Sequence, residues 1–191
     1  MAEDNQEIEL KFKLDKEEFL KIKENTSKIA EFVKKVEQKD EYISPPHKNF
    51  LAARYPYEWL SIRERGNKTI LNYKHFYPEE VEVHTHCDEL EFEAENAEQL
   101  RKLFSALNFR ANVTVEKQRE VYTYNDEFEI AFDTVKELGC FIEIEALKHA
   151  ETVEKTREKL FKFAKSLNID ISTSDKRGYP YIMMKLKGMI R

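Results

Sequence analysis

The stretch EIELKFKL, residues 7–14, alternates strictly between charged and apolar side chains. Successive side chains of a strand point to opposite faces, so this pattern predicts a half-buried β-strand with one charged face. The apolar positions are Ile8, Leu10, Phe12 and Leu14. Whether the charged face is merely solvated or carries chemistry is the question that the rest of the chain has to answer.

The composition indicates one domain with a real core. Of 191 residues, 41% are hydrophobic and 36% are charged, and the net charge of −5 argues against a general binder of nucleic acids or anionic membranes. Cys87 and Cys140 lie far apart without metal-ligand spacing, as reduced thiols do. We expect a single domain over residues 1–191, cytoplasmic, with no nucleic-acid or membrane partner, as a monomer or homodimer.

Turn residues separate a series of alternating runs. The strongest hairpin signal is SIRERGNKTILNYK, in which Gly66-Asn67 joins two such runs. The eight predicted strands cover residues 7–14, 38–44, 58–65, 69–76, 87–94, 113–124, 127–133 and 140–147. The order is strand, helix, four strands, helix, three strands, helix, which indicates two halves that each rest helices on an antiparallel sheet.

Three helices are predicted between these groups of strands. The first begins after the N-cap Asp15, with Glu18 completing a capping box, and continues over apolar positions as far as Val36 with a break near residues 25–27. On this interpretation the lysines and glutamates of residues 16–39 form its solvated face. The second begins at Asn96, the third covers residues 151–167, and the tail over residues 174–186 permits a short helix.

Charges recur two residues apart on several predicted strands. The groups are Glu7, Glu9 and Lys11; Arg63 and Arg65; Glu89, Glu91 and Glu93; Lys117 and Arg119; Glu129 and Asp133; and Glu143 and Glu145. They are either solvated sheet faces, with cross-strand pairs worth about 0.2–1 kcal/mol each, or the inner face of a closed sheet. An inner face of this kind suits a polyanion carried with a divalent cation, since carboxylates bind Mg²⁺ or Mn²⁺ while lysine and arginine bind phosphate. With only 4 glycines there is no glycine-rich phosphate loop.

Two motifs resemble a known family. EIELK at the start of the first strand is a Glu-x-Glu-x-Lys signature, and FDTVKELGCFIEIE, residues 132–145, is similar to a long segment of CyaB-like proteins. Together they resemble the CYTH superfamily, the triphosphate tunnel metalloenzymes, which includes class IV adenylate cyclases, thiamine triphosphatases and inorganic triphosphatases. The resemblance implies an α+β fold: a closed eight-stranded antiparallel β-barrel that forms a tunnel, with helices packed on the outside. It also implies catalysis on a triphosphate with Mg²⁺ or Mn²⁺.

The resemblance also implies roles for individual residues. The expected metal ligands are Glu7, Glu9, Glu91, Glu143 and Glu145, with Glu89 on the same acidic strand as Glu91. The expected phosphate-binding residues are Lys11, Arg63, Lys74, Lys117 and Arg119, and the expected catalytic residues are Lys11 and Asp133. Ser61, Lys48 and Asn49 depart from the family pattern, which often has arginine, arginine and aspartate there.

Three functions remain open at this point. Attack by a ribose 3′-hydroxyl on the α-phosphorus of ATP would give cyclic AMP and pyrophosphate, whereas attack by water would make the protein a triphosphatase. A non-catalytic polyphosphate- or nucleotide-binding domain is the third. A cyclase needs an apolar slot for adenine, which Phe50, Tyr55, Tyr57 and Trp59 could supply, although ordinary packing is the favoured explanation of these rings. The segment from His84 to Cys87 lacks the spacing of a zinc site.

Overall fold

The structure, a computed structural model, describes residues 6–175 and 177–190. Its strands are β1 (Gln6–Glu7), β2 (Glu9–Leu14), β3 (Glu31–Ser44), β4 (Glu58–Arg65), β5 (Lys68–Tyr77), β6 (His86–Ala94), β7 (Arg110–Tyr124), β8 (Phe128–Val135), β9 (Gly139–Ala146) and β10 (Ser174–Asp175). Its helices are α1 (Lys16–Thr26), α2 (Ala97–Ala106), α3 (Val153–Ser166) and α4 (Tyr179–Leu186). None of the helices in these ranges combines the length and the apolar character needed to cross a membrane.

The predicted class, an α+β protein with an antiparallel sheet and helices packed against it, is confirmed, and so is each of the eight predicted strands. The described ranges contain ten strands because two short ones are added. The opening strand is interrupted at Ile8, which separates the two-residue β1 from β2. Near the C-terminus the two-residue β10 pairs antiparallel with Lys11 and Phe12 of β2.

The first predicted helix is too long, and the structure corrects it. Asp15 caps α1 by accepting a hydrogen bond from the backbone N–H of Glu18 at 2.9 Å, as the capping box predicts. The helix then ends at Thr26, and residues 31–36 belong to β3. Valine and phenylalanine favour strands, and Phe32 packs edge-on against Tyr122 with 5.5 Å between ring centroids. The lysines of residues 34–39 therefore lie on a strand and not on a helix face.

The chain divides into two compact units, which are described separately. The first unit contains Glu37–Glu116 and the residues from 177 onward, and the second contains Glu7–Val36 and residues 117–175. A single domain over residues 1–191 therefore stays a prediction.

In the first unit, β3, β4, β5 and β6 are antiparallel neighbours in that order. The predicted hairpin is confirmed: β4 and β5 meet at Gly66-Asn67, where Arg65 pairs with Lys68. Gly66 has a φ of 63°, a conformation that glycine adopts without strain. Asn96 caps α2 through the backbone N–H of Gln99, and the helix packs on β4.

In the second unit, β7, β8, β9, β2 and β10 follow one another, and each neighbouring pair is antiparallel. Helix α1 packs on β9, and α3 packs on both β2 and β9. The apolar side of the sheet and the inner faces of these helices form one hydrophobic core. Its fully buried members include Phe12, Ile130, Ile142, Ile144, Leu160 and Ala164.

Candidate active site

The register of the second unit places its alternating charges on one face of the sheet. Glu9 lies directly opposite Glu145, and Lys11 lies opposite Glu143. Because the intervening Leu10 is buried in the core, the charged members of these strands must point to the other face. The alternation that predicted the strands therefore also sorts their side chains into a core set and a charged set.

Five charged side chains on that face form the second-unit cluster, defined as Lys11, Lys117, Arg119, Asp133 and Glu143. Asp133 accepts hydrogen bonds from Arg119 Nε at 2.7 Å, Arg119 Nη2 at 2.5 Å and Lys117 Nζ at 3.0 Å. Glu143 pairs with Lys11 Nζ at 3.0 Å and with Arg119 Nη2. The cluster is a continuous network in which each carboxylate bridges two cations.

Burial and charge compete at the two carboxylates of this cluster. Burial alone would raise the pKa of Asp133, but the positive charges of Arg119 and Lys117 outweigh it and lower that pKa below its ordinary value. At Glu143 burial likewise opposes ionisation, and the charges of Arg119, Lys11 and Lys117 hold its pKa well below the ordinary value. Both side chains are therefore carboxylates at neutral pH.

A row of facing carboxylates lies beside this cluster. Glu145 has Glu9 directly opposite on β2 and Glu129 directly opposite on β8. Like charges directly opposite one another destabilise a sheet, so a cation between them would be stabilising. Glu7 lies in β1, half-buried, two residues before Glu9. Glu129 is a carboxylate of this row, and its spacing from Asp133 predicts that both lie on the same face of β8.

The first unit carries a second charged group, the first-unit cluster: the cations Arg63, Arg65 and Lys74 with the carboxylates Asp40, Glu89 and Glu91. Its members lie across four neighbouring strands, with Asp40 opposite Arg63 and Lys74 opposite Glu89. Asn72 lies opposite Glu91 on the same face and donates hydrogen bonds to Glu91 at 3.1 Å and to Glu89. Three cations balance three carboxylates in this cluster.

Arg63 is the centre of the first-unit cluster and is 93% buried. Its Nε donates to Ser61 Oγ at 3.2 Å, and its Nη1 donates to Glu89 at 3.3 Å and Glu91 at 3.1 Å. Burial opposes its charge, but the neighbouring Asp40 and the two glutamates raise the pKa of the guanidinium above its ordinary value. Ser61, which departs from the family pattern, thus fixes the orientation of the arginine two residues later.

The predicted site residues divide between the two clusters. The second unit contains Glu7, Glu9, Lys11, Lys117, Arg119, Asp133, Glu143 and Glu145. The first unit contains Arg63, Lys74 and Glu91. Sequence reasoning missed Asp40 and Asn72. Asn72 could have been found from its spacing, because it lies two residues before Lys74 on the same strand.

The four aromatic residues considered for adenine binding do not form one slot. Phe50 packs against Tyr73 at 6.4 Å, and Tyr57 packs against His75 at 5.4 Å between ring centroids. Tyr55 and Trp59 do line a common cavity, but its volume of about 10 Å³ corresponds to a single water molecule. No purine slot is therefore preformed by these rings.

Neither cluster holds a ready-made cage for a metal ion. In residues 6–175 and 177–190, no three histidine, cysteine or carboxylate side chains are arranged around a common metal position. This applies to the segment His84–Cys87 as well as to the row Glu9, Glu145 and Glu129. Mg²⁺, however, is commonly bound through one or two carboxylates together with water and substrate phosphates, which a pair such as Glu9 and Glu145 can supply.

Comparison with known proteins places the chain among relatives of the same size. A Methanocaldococcus jannaschii protein named "putative adenylate cyclase" is 29% identical over 185 residues, covering 96% of this chain and 99% of that protein. The structure of the PH1819 protein from Pyrococcus horikoshii OT3 is similar with a TM-score of 0.78 and 29% identity, covering 94% of this chain and 99% of that chain. A conserved hypothetical protein from Pyrococcus furiosus gives a TM-score of 0.74 and 29% identity, with coverage of 92% and 98%.

The family assignment follows from a match over nearly the whole chain. The model of the CYTH domain matches residues 5–179, which include both charged clusters and the two motifs that indicated the resemblance. The chain belongs to the CYTH domain family.

Proposed function

We propose that this protein is a divalent-metal-dependent enzyme that acts on a triphosphate. The observation that carries the proposal is the second-unit charged face, where Glu9 and Glu145 lie opposite each other beside the buried Lys11 and the half-buried Lys117 and Arg119. Carboxylates that lie opposite one another and cations gathered on the same face are the two halves of a metal–phosphate site. A core-facing role does not explain why the two glutamates lie directly opposite each other, where like charges repel.

The residues present fit a hard divalent cation such as Mg²⁺ or Mn²⁺. The donors are carboxylate oxygens, which these ions prefer over nitrogen or sulfur. Glu9 and Glu145 would hold the ion in the second unit, where Glu7 and Glu143 are further predicted ligands. Glu91 is a predicted ligand within the first unit. When bound, the ion would neutralise charge on the phosphate oxygens and stabilise the charge that develops during transfer.

Each unit carries cations that would bind phosphate oxygens. Lys11, Lys117 and Arg119 in the second unit, and Arg63 and Lys74 in the first, present cationic donors for phosphate oxygens. Asp133 is fully buried and receives three hydrogen bonds, so its part in catalysis would be to keep Lys117 and Arg119 in place. Phosphoryl-group chemistry depends mainly on such positioning and charge neutralisation.

The favoured reaction is conversion of ATP to cyclic AMP and pyrophosphate. The name of the M. jannaschii relative, 29% identical over nearly its whole length, supports adenylate cyclase. In that reaction the ribose 3′-hydroxyl oxygen bonds to the α-phosphorus and pyrophosphate leaves with the electron pair of the broken P–O bond. The long segment of residues 132–145, similar to CyaB-like proteins, supports the same conclusion.

One observation favours a second candidate, a triphosphatase that uses water as the nucleophile. A cyclase must hold adenine and ribose, yet the rings suited to adenine are divided between other packing contacts and a cavity of about one water. A triphosphatase acting on inorganic triphosphate needs no such slot. A non-catalytic binding domain is less well supported, because Glu7, Glu9 and Glu145 are retained.

Product analysis decides between these reactions. Purified protein would be incubated with ATP, thiamine triphosphate or inorganic triphosphate, each with Mg²⁺ or Mn²⁺ and with EDTA as the metal-free control, and the products separated by ion exchange. Cyclic AMP with pyrophosphate identifies a cyclase. Orthophosphate without cyclic AMP identifies a triphosphatase. Saturable binding without turnover of any substrate would contradict the enzyme proposal and leave the binding domain.

A further inference from the structure

In the first unit, the two cations predicted to bind phosphate, Arg63 and Lys74, already form ion pairs with carboxylates of the protein. Glu89 Oε1 lies 3.3 Å from Lys74 Nζ and 3.3 Å from Arg63 Nη1. Glu91 Oε1 lies 3.1 Å from the same Arg63 nitrogen and 3.3 Å from Arg65 Nη2. Carboxylate and phosphate oxygens offer equivalent acceptors to guanidinium and ammonium groups. The two glutamates therefore occupy the contacts that phosphate oxygens would make.

Asn72 holds the two glutamates together in this position. Its amide nitrogen donates to Glu91 Oε1 at 3.1 Å and to Glu89 Oε1. Two carboxylates that share the same donors repel each other, and a neutral amide reduces that cost without adding charge. The arrangement is a built anion site whose present occupants belong to the protein itself.

Arg63 has anchors that do not depend on these glutamates. Ser61 Oγ accepts from its Nε at 3.2 Å, and Asp40 Oδ2 lies 3.6 Å from the same nitrogen. Asp40 is 95% buried, and its other oxygen, Oδ1, has no hydrogen-bond partner in the described part of the chain. A buried acceptor without a donor calls for an explanation. It can accept an N–H of Arg63 that departing glutamates release, so the guanidinium would stay in place.

We propose that Glu89 and Glu91 block the anion site of the first unit until a divalent cation draws them away, so that cation and triphosphate bind with positive coupling. The inference rests on the proposed function, because the incoming anion is the phosphate chain of the substrate. The cluster is neutral as it stands, and a polyanion entering without a cation would meet two carboxylates at its own binding groups. A cation bound by the glutamates frees Arg63 and Lys74, and by linkage a bound triphosphate raises the affinity for the cation by the same factor.

The test measures binding of inorganic triphosphate by calorimetry, in EDTA and in Mg²⁺. The variant is E89Q/E91Q, which keeps the side-chain size but removes both charges. The matched control is E93Q, because Glu93 lies two residues further along β6 and pairs with Lys68 at an exposed position. In EDTA we expect the double variant to bind at least about tenfold more tightly than the natural protein. E93Q should leave the metal-free affinity unchanged, and Mg²⁺ should tighten binding to the natural protein by a larger factor than binding to E89Q/E91Q.

The outcomes separate this inference from the function on which it rests. Metal-dependent turnover by the natural protein, with no gain in metal-free affinity in E89Q/E91Q, overturns the coupling and leaves the enzyme assignment intact. A natural protein that neither binds nor turns over any triphosphate overturns both. If the double variant fails to fold, the single variants E89Q and E91Q each remove one competitor, and each should show part of the gain.

Discussion

At the scale of the residue, the two-residue spacing of charges along each strand predicted which face most of the charged side chains lie on. Lys11, Asp133 and Glu143 were assigned to one face from spacing of two, and the register places them in one network. Asp40 was missed because a single acid between Lys39 and Glu41 looks like part of a solvated charge run. Its burial is decided by Arg63 on the facing strand, and such cross-strand pairing cannot be read from one segment alone.

Asp133→Asn is expected to lower the free energy of unfolding at neutral pH. It should also make that free energy depend less on pH in the acidic range. The folded-state pKa of Asp133 is lowered by Arg119 and Lys117, against the effect of burial. Its contribution to stability is therefore present above the unfolded pKa of about 4 and is lost as the pH falls through the lower folded value. Removing one member of a buried pair costs about 3–5 kcal/mol.

Urea unfolding of the natural protein and of Asp133→Asn, at pH values from about 7 to about 3, measures this difference. The gap in unfolding free energy should be largest at neutral pH and should narrow in acid. Asp126→Asn, at an exposed turn, serves as the control. A gap that stays constant over the whole range would contradict the prediction.

Glu9→Gln and Glu145→Gln are expected to abolish metal-dependent turnover while the fold is kept. The substitutions remove the charge that would hold the cation but preserve size, so we expect kcat to fall by at least about a hundredfold, in keeping with the several kcal/mol that a bound metal supplies. They should also weaken cation binding measured directly by calorimetry. Glu127→Gln, at an exposed position of the β7–β8 turn, is the matched control. Full activity in both folded variants would show that the metal assignment is wrong.

At the scale of the element, capping and turn signals were more reliable than apolar periodicity. Asp15, Asn96 and the Gly66-Asn67 turn act as predicted, because each makes its decisive hydrogen bond or turn within a few residues. The end of the first helix was not predictable in this way. Phe32 and Val36 fit a helical period as well as a strand, and only the contact of Phe32 with Tyr122 of β7 distinguishes the two.

Leu160→Ala in α3 is expected to destabilise the protein by about 2–5 kcal/mol, since it opens a cavity in a packed core. Leu160 is fully buried among the residues that join α3 to the sheet of the second unit. Lys159→Ala, on the exposed side of the same helix, should change stability by less than about 0.5 kcal/mol. Equilibrium urea unfolding gives both values. Equal, small effects for the two variants would mean that α3 does not hold the core together.

At the scale of the whole molecule, the net charge and the charge of the proposed binding groups have opposite signs. The net charge is −5, yet the groups proposed to bind substrate are cations concentrated on strand faces. The fold class and the order of strands along the chain were predictable, because alternation repeats over eight segments and each repeat supports the same conclusion. The number of strands was not, since β1 and β10 are two residues each and carry no pattern of their own.

The affinity for a triphosphate should fall as salt rises, despite the net negative charge. Charge–charge contacts that are reached by solvent are screened over about 8 Å at physiological ionic strength. Raising NaCl from about 0.05 M to about 0.5 M should increase KM for inorganic triphosphate several-fold while the melting temperature changes little. Potassium glutamate at matched ionic strength controls for specific chloride binding. A KM that is independent of salt would contradict binding through the two cationic groups.

The two-residue turn at Gly66-Asn67 has a consequence for how this sequence can change over generations. The ladder from Arg65–Lys68 to Glu58–His75 is unbroken. The register of β4 against β5 is therefore set by the position of the turn. Losing or gaining one codon within either strand would turn every later side chain to the opposite face and carry Arg63 or Lys74 away from its partners. Within these two strands, evolution should therefore accept only insertions and deletions of an even number of residues. Insertions and deletions of one residue should be restricted to the loops, where no strand register has to be maintained.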